Sequence, residues 1–246
     1  QAQKVGKATR KQFPDGVPGY GTDALRFTFY SLASTGRDIK FDLGRMEGFR
    51  NFCNKLWNAS RYVLMNTEAF SLTSEKPSFS LADRWIRSQL QQVIAETSRN
   101  IEHYRFDHAA QTLYDFVWNE YCDWYLELSK PVLWSDDASA SQKHGTLLTL
   151  LEVLETVLRL LHPMMPFITE EIWQNVAPRL HRHGDTIMLA QWPSSDAEEV
   201  DTSAEDDIEW LKTVITAVRT IRSEANIPPG EGLEVLFGNA TETDKA

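Results

Sequence analysis

The chain has few cysteines, no long apolar run and none of the glycine-rich punctuation that marks common catalytic loops. Its two cysteines, Cys53 and Cys122, cannot build a disulfide framework or a cysteine-ligated zinc site. Cysteine usage this sparse fits a reducing, cytoplasmic setting. No stretch of about 18 apolar residues exists, so no membrane-spanning helix is expected. Residues 1–12 are basic, but no apolar segment follows them as a signal peptide requires. A glycine-rich phosphate loop, a Gly-x-Ser-x-Gly elbow and a His-Glu-x-x-His helix are all missing. Two weaker patterns remain. His181 and His183 lack an evident third ligand and read as a solvated loop. Glu170 and Glu171 are neighbours about 100° apart on a helix, so they do not share a site. No active site and no resident cofactor or metal are expected in these residues.

What is present is an ordinary globular balance: 246 residues, 42% hydrophobic and 24% charged, with eight tryptophans. That is enough chain for a sizeable core. The chain starts at Gln1 and ends in a polar tail, and reads as a piece of a longer protein. The formal net charge of −10 taken alone argues against a nucleic-acid partner. The charge is unevenly spread, however. Residues 1–62 hold 11 Lys+Arg and 5 Asp+Glu, while residues 63–246 hold 14 and 30. An acidic total therefore leaves room for one basic binding face.

After a Gly- and Pro-containing lead-in over 1–21, expected to be extended or loop, the periodicity is helical. Thr22 or Asp23 is expected to cap a helix to about Ala33, with Leu25, Phe29 and Leu32 inward. Asp42 is expected to cap a long helix to about Asn66, and Ser80-Leu81-Ala82-Asp83 reads as a capping box. Asp107 is expected to start a helix that Pro131 ends, with Leu113, Val117, Tyr121, Trp124 and Leu128 inward. A leucine stripe runs from Leu147 to Leu161. Thr169 is expected to cap a short helix, and Ser203 to begin a last one, stopped near Pro228. Residues 186–192 and 233–237 have strand character. The fold class expected is mainly α: a helical bundle with a small α/β appendage after about residue 184. The expected divisions are 1–40, 41–183 and 184–246.

The helix over 42–66 carries the functional signal. On a wheel of about 100° per residue, Met46, Phe49, Phe52, Cys53, Leu56, Ala59, Val63 and Leu64 form one arc, the core face. Arg50, Asn54, Asn58 and Arg61 fall together on the other side, with Asn51, Tyr62 and Lys55 continuing the arc and Trp57 at its border. A plain solvated face mixes Glu with Lys. This one holds no carboxylate between Glu47 and Glu68. Arg and Lys attract phosphates, Asn offers a donor and an acceptor to a base edge, and Tyr or Trp stacks on an unpaired base. The competing reading is that these side chains pair with acidic groups on a neighbouring helix.

The segments Gly21–Phe27, Ser34–Ile39, Arg50–Ala59, Cys122–Glu127 and His162–Trp173 together resemble the bacterial valyl-tRNA synthetase family. The likeness runs from about residue 10 to 237. The Arg50–Ala59 block is specific to that family, whereas His162–Trp173 is shared with its isoleucyl and leucyl relatives. The resemblance implies an anticodon-binding helical bundle that follows a catalytic domain, with residues 1–40 at the junction. By motif alignment, Arg61 and Tyr62 fall where relatives place an Arg and an aromatic against the anticodon, and Leu126 where an apolar side chain borders the pocket. Some relatives have a further Arg at the position of Gly44; here the arginine is Arg45. Arg50, Lys55, Asn54 and Asn58 are expected to serve the same RNA surface.

Asp23 and Arg26, three apart near the start of the first expected helix, read as a helix-internal pair or as a junction contact to the catalytic domain. The implied partners are valine tRNA, through its anticodon stem-loop, and the protein's own catalytic domain, without membrane or DNA. The implied activity of the parent is valine–tRNA ligation using ATP and Mg²⁺, with this segment inactive alone. The alternatives are the equivalent domain of an isoleucyl enzyme and a helical protein-interaction module without RNA contact.

Overall fold

The computed structural model describes residues 2–16, 19–34, 36, 39, 41–73, 76–228, 230–232, 234–235 and 238. Helix α1 spans Ala2–Gln12, a stretch of Ala, Gln, Lys and Arg that favours helix over the expected loop. Its described side chains are all exposed. The Gly and Pro residues that prompted the loop expectation lie mainly beyond it.

Helix α2 (Thr22–Leu32) begins after Gly21, whose φ of 90° ends the preceding chain. It buries Ala24, Phe27 and Thr28, while Leu25 and Phe29 are exposed. The expected inward face is therefore wrong by roughly a third of a turn. The cause is tertiary: Phe27 packs on Phe49 and Phe52 at ring-centroid distances of 4.9 and 5.3 Å. Phe49 and Phe52 sit on α3 (Leu43–Asn66), which starts where expected. The Asp42 carboxylate there accepts the Gly44 N–H at 2.8 Å. Met46, Phe52, Leu56, Ala59 and Val63 are buried, matching the wheel.

Helix α4 (Leu81–Glu102) opens with the expected capping box of Ser80 and Asp83. Asp83 is fully buried. Its carboxylate also accepts the hydroxyls of Tyr125 (2.7 Å) and Thr146 (2.8 Å), so the cap is a core knot too. Helix α7 (Ala140–Leu161) has a capping box that the sequence reading missed, Ser139 with Gln142. From Thr149 onward it is buried on nearly every side, which makes it the central helix. At Gly145 a Cβ would stand 2.3 Å from the Ser78 carbonyl oxygen, so only glycine admits the close passage of the 76–80 segment.

The helix expected over 107–130 is three pieces. Helix α5 (Phe106–Asp115) passes into a π-helix (Phe116–Tyr125) and then α6 (Leu126–Trp134). In the π-helix each N–H reaches five residues back, as Leu126 does to the Tyr121 carbonyl. Every wide turn takes in roughly one residue more than an α-turn, so the inward line drifts. It runs through Leu113, Val117, Tyr121, Tyr125 and Ser129, leaving the expected Trp124 and Leu128 half-buried. Pro131 does not end the helix. It is exposed on the last stretch of α6, and Glu127, four residues back, is exposed as well. One further turn follows, closed by the Ser135 N–H on the Pro131 carbonyl at 3.2 Å.

Helix α8 (Pro166–Val176) starts with proline in its first turn. Thr169 is not its cap. The cap is Asp23 of α2, whose carboxylate accepts the N–H groups of Phe167 (3.2 Å) and Ile168 (2.7 Å). Thr169 lies deeper, donating to the Met165 carbonyl and facing the His162 ring at 2.8 Å.

The strand expected at 186–192 does not form. Ile187–Leu189 make a 3₁₀ turn, with Ile187 buried and Met188 and Leu189 exposed. Glu170 accepts both the Thr186 hydroxyl and the Ile187 N–H, which fixes the turn from outside. Among the described residues there is no strand, and the strand expected at 233–237 falls largely outside them.

Helix α9 spans Thr202–Glu224. Two compact units are distinguished. Residues 1–205 hold the bundle, and residues 206–246 the second unit. In the second, Arg222 donates to the carbonyls of Pro228 (2.9 Å) and Glu231 (2.6 Å) past the end of α9.

Candidate nucleic-acid interface

Successive steps of three or four residues along α3 place Arg50, Asn54, Asn58, Arg61 and Met65 on one ridge. Asn54, Asn58 and Arg61 are exposed, and no described residue hydrogen-bonds or ion-pairs with their side chains. Met65 is 71% exposed. Tyr62 stands beside Arg61 and is half-buried. Its hydroxyl lies 3.4 Å from the Ser129 hydroxyl, which donates to the Leu126 carbonyl at 2.8 Å. Tyr62 and Leu126 are thus brought together, between the C-terminal half of α3 and the start of α6, and Arg61 is the neighbour of Tyr62 along α3. Leu126 is buried.

Two residues that the sequence reading did not single out join them. Lys130 places its ammonium 5.9 Å from the Tyr62 ring centroid and 5.7 Å from that of Trp134. The only cue in the sequence was the i,i+4 spacing of Lys130 and Trp134. Their place beside Tyr62 depends on packing.

The other expected contacts divide. Lys55 is not free: it meets the Asp123 carboxylate at 2.5 Å and lies 3.9 Å from the Trp118 ring centroid. For Lys55 the competing reading, pairing with a neighbouring helix, holds. Arg50 reaches Glu47 at 3.4 Å and lies over the Tyr20 ring. Arg45 is exposed, with no described partner. At 1.5 Å per residue, Arg50 and Arg45 stand roughly 16 and 24 Å back along α3 from Arg61. Neither therefore stands beside Arg61 and Tyr62.

Asp23 and Arg26 do not pair with each other. Arg26 donates to the carbonyls of Pro163 (2.8 Å) and Met164 (3.2 Å), while Asp23 caps α8. Both residues therefore clamp α2 to the turn that opens α8.

No nucleophile stands out. Burial pushes the thiols of Cys53 and Cys122 up to about 12, so both are protonated at neutral pH. His181 and His183 are exposed, and between them Arg182 turns inward to the buried Glu155. Among the described residues no group of His, Cys, Asp and Glu is arranged to hold a metal. No helix among them is long and apolar enough to cross a membrane.

The fold and this surface define a mainly helical module whose exposed chemistry includes an arginine–asparagine ridge on α3. The chain belongs to the family of anticodon-binding domains of tRNA ligases, whose model matches residues 83–237. It is 55% identical over 245 residues to the valine–tRNA ligase of Coxiella burnetii, covering 99% of this chain and 27% of that protein. To that of Legionella pneumophila it is 53% identical, covering 97% and 26%. To that of Acinetobacter baylyi it is 51% identical, covering 100% and 25%. The chain thus spans about a quarter of the length of these relatives. Among solved structures it is similar to the LeuRS chain of an Agrobacterium radiobacter LeuRS–tRNA–LeuAMS complex. That match has a TM-score of 0.56 and 20% identity, and covers 74% of this chain and 20% of the other. It speaks to the fold alone.

Proposed function

We propose that this chain reads the anticodon of valine tRNA as part of a valine–tRNA ligase. The observation that carries the reading is the exposed, unpaired Arg61 guanidinium beside a Tyr62 ring anchored through Ser129. A buried cation would already be paired, and a free tyrosine would not present a fixed face. All valine anticodons share a middle A and a final C. A reader of valine tRNA holds those two bases and tolerates the first. One base stacks on Tyr62, the other is hydrogen-bonded by Arg61, and Leu126 closes the pocket. Arg45 and Arg50 attract phosphates along α3, and Asn54 and Asn58 offer polar contacts between them.

The chemistry of the parent, activation of valine with ATP and Mg²⁺ and its transfer to tRNA, is assigned to the rest of the longer protein, in the cytoplasm. Residues 1–40 form the junction to the catalytic domain in this reading, 41–183 the reading bundle and 184–246 the appendage. Asp23 and Arg26 serve the junction from behind, by fixing α2 against α8.

The test is binding of a valine anticodon stem-loop to the wild type, Arg61→Ala and Tyr62→Ala. Loss of one base stack or bidentate contact is expected to cost about 1–3 kcal/mol, or roughly 5- to 150-fold in affinity. Arg61→Ala is also expected to reduce discrimination against a changed middle or final base. Equal affinities for folded wild type and variants would refute the assignment.

A further inference from the structure

Trp134 has no place in the two-base pocket, yet it stands next to it. It ends α6 and is 67% exposed, among the most exposed large apolar side chains of the bundle. The Lys130 ammonium lies 5.7 Å from its ring centroid and 5.9 Å from that of Tyr62, so one cation stands close to two rings carried by different helices. The centroids cannot be further apart than those two distances together, which is within reach of roughly one to three nucleotides of single strand. Pro131, in the turn before Trp134, has its φ fixed by its ring and stiffens the end of α6. The indole is therefore held on a helix, not on a loose loop. Lys130 is held by Glu127 at 2.6 Å, but Glu127 is exposed, so a phosphate competes for the ammonium at little cost.

We propose that Trp134 is a second stacking platform, which takes one further unpaired base of the same anticodon loop while Lys130 faces the phosphate between the two rings. The proposal rests on the anticodon reading above. Every base has a π-face, so a platform of this kind adds affinity without choosing between anticodons. Its role is separable from that of Arg61 and Tyr62, which choose.

The experiment measures binding of a valine anticodon stem-loop to this 246-residue chain and to Trp134→Ala, Trp134→Phe, Tyr62→Ala and Arg61→Ala, with folding checked by circular dichroism. Single abasic substitutions at each loop position complete double-mutant cycles. Trp134→Ala is expected to weaken binding about 5- to 100-fold, and equally when the middle anticodon base is changed. Trp134→Phe is expected to recover part of the loss. The cycles are expected to couple Trp134 to one loop position that Tyr62 does not couple to. Wild-type affinity in Trp134→Ala alongside a weakened Arg61→Ala overturns the platform and leaves the anticodon reading standing. Coupling of Trp134 to the same base as Tyr62 also overturns it, since Trp134 then belongs to the reading pocket. Unchanged affinity in all three alanine variants removes the platform and the anticodon reading together.

Discussion

Arg61, Lys55 and Asp23 look alike on paper, as charged residues on helices, yet each has a different fate. Arg61 is left exposed, Lys55 is spent on Asp123 and Trp118, and Asp23 crosses to cap another helix. The wheel placed Arg61 and Lys55 on one outward arc, but only Arg61 is exposed and Lys55 is half-buried. The wheel had no means of knowing that the π-helix would bring Asp123 to within 2.5 Å of one and not the other. For Asp23 the expectation of a pair with Arg26 followed from i,i+3 spacing, but two unsatisfied N–H groups at a proline-initiated helix are a better partner for a carboxylate. Asp23→Ala is expected to lower stability by about 1–3 kcal/mol, because it leaves those buried-side donors without an acceptor. Urea unfolding checks this: a lower midpoint at unchanged slope is the expected outcome, and a midpoint equal to wild type contradicts the cap.

Elements were legible where local chemistry defines them. Asp42 and Ser80–Asp83 announced the starts of α3 and α4, and the leucine stripe announced α7. They were misread where a second element decides. The wide turns of the π-helix move the buried line from Trp124 to Tyr125, and Tyr125 then reaches Asp83 on α4. The apolar run at 186–192 looked like a strand, but Ile187–Leu189 within it form a 3₁₀ turn, fixed by Glu170 through the Thr186 hydroxyl and the Ile187 N–H. The passage of the 76–80 segment over α7 is invisible in periodicity and depends on one missing methyl group. Gly145→Ala is expected to destabilise the bundle by about 1–3 kcal/mol through overpacking against the Ser78 carbonyl, despite the better helix propensity of alanine. Thermal unfolding reads it, and an unchanged or raised midpoint would show that the segment yields freely.

At the scale of the whole molecule, the charge is divided. The first 62 residues carry the basic excess and the remainder the acidic one. An RNA bound at α3 is attracted there and repelled elsewhere, which confines it to one face. Affinity for the stem-loop is expected to fall as salt rises, with a slope of about −0.7 in log K against log salt for each phosphate neutralised. Arg45→Ala is expected to reduce that slope by about one such step while leaving base discrimination intact. A titration between low and moderate salt measures both. A slope of zero contradicts an RNA-binding face, and a slope unchanged by Arg45→Ala removes Arg45 from that face.

The sequence by itself determined the helical class, the principal caps, the inward face of α3 and the outward ridge of Arg50, Asn54, Asn58 and Arg61. These follow from interactions within a few residues, where period and capping chemistry act. Tertiary structure decided which cations stay free, that Asp23 serves α8, where the π-helix shifts the core, and that Lys130 and Trp134 stand beside Tyr62. Those outcomes join residues some sixty to a hundred and forty positions apart. No period or local propensity records such a pairing; packing alone selects it.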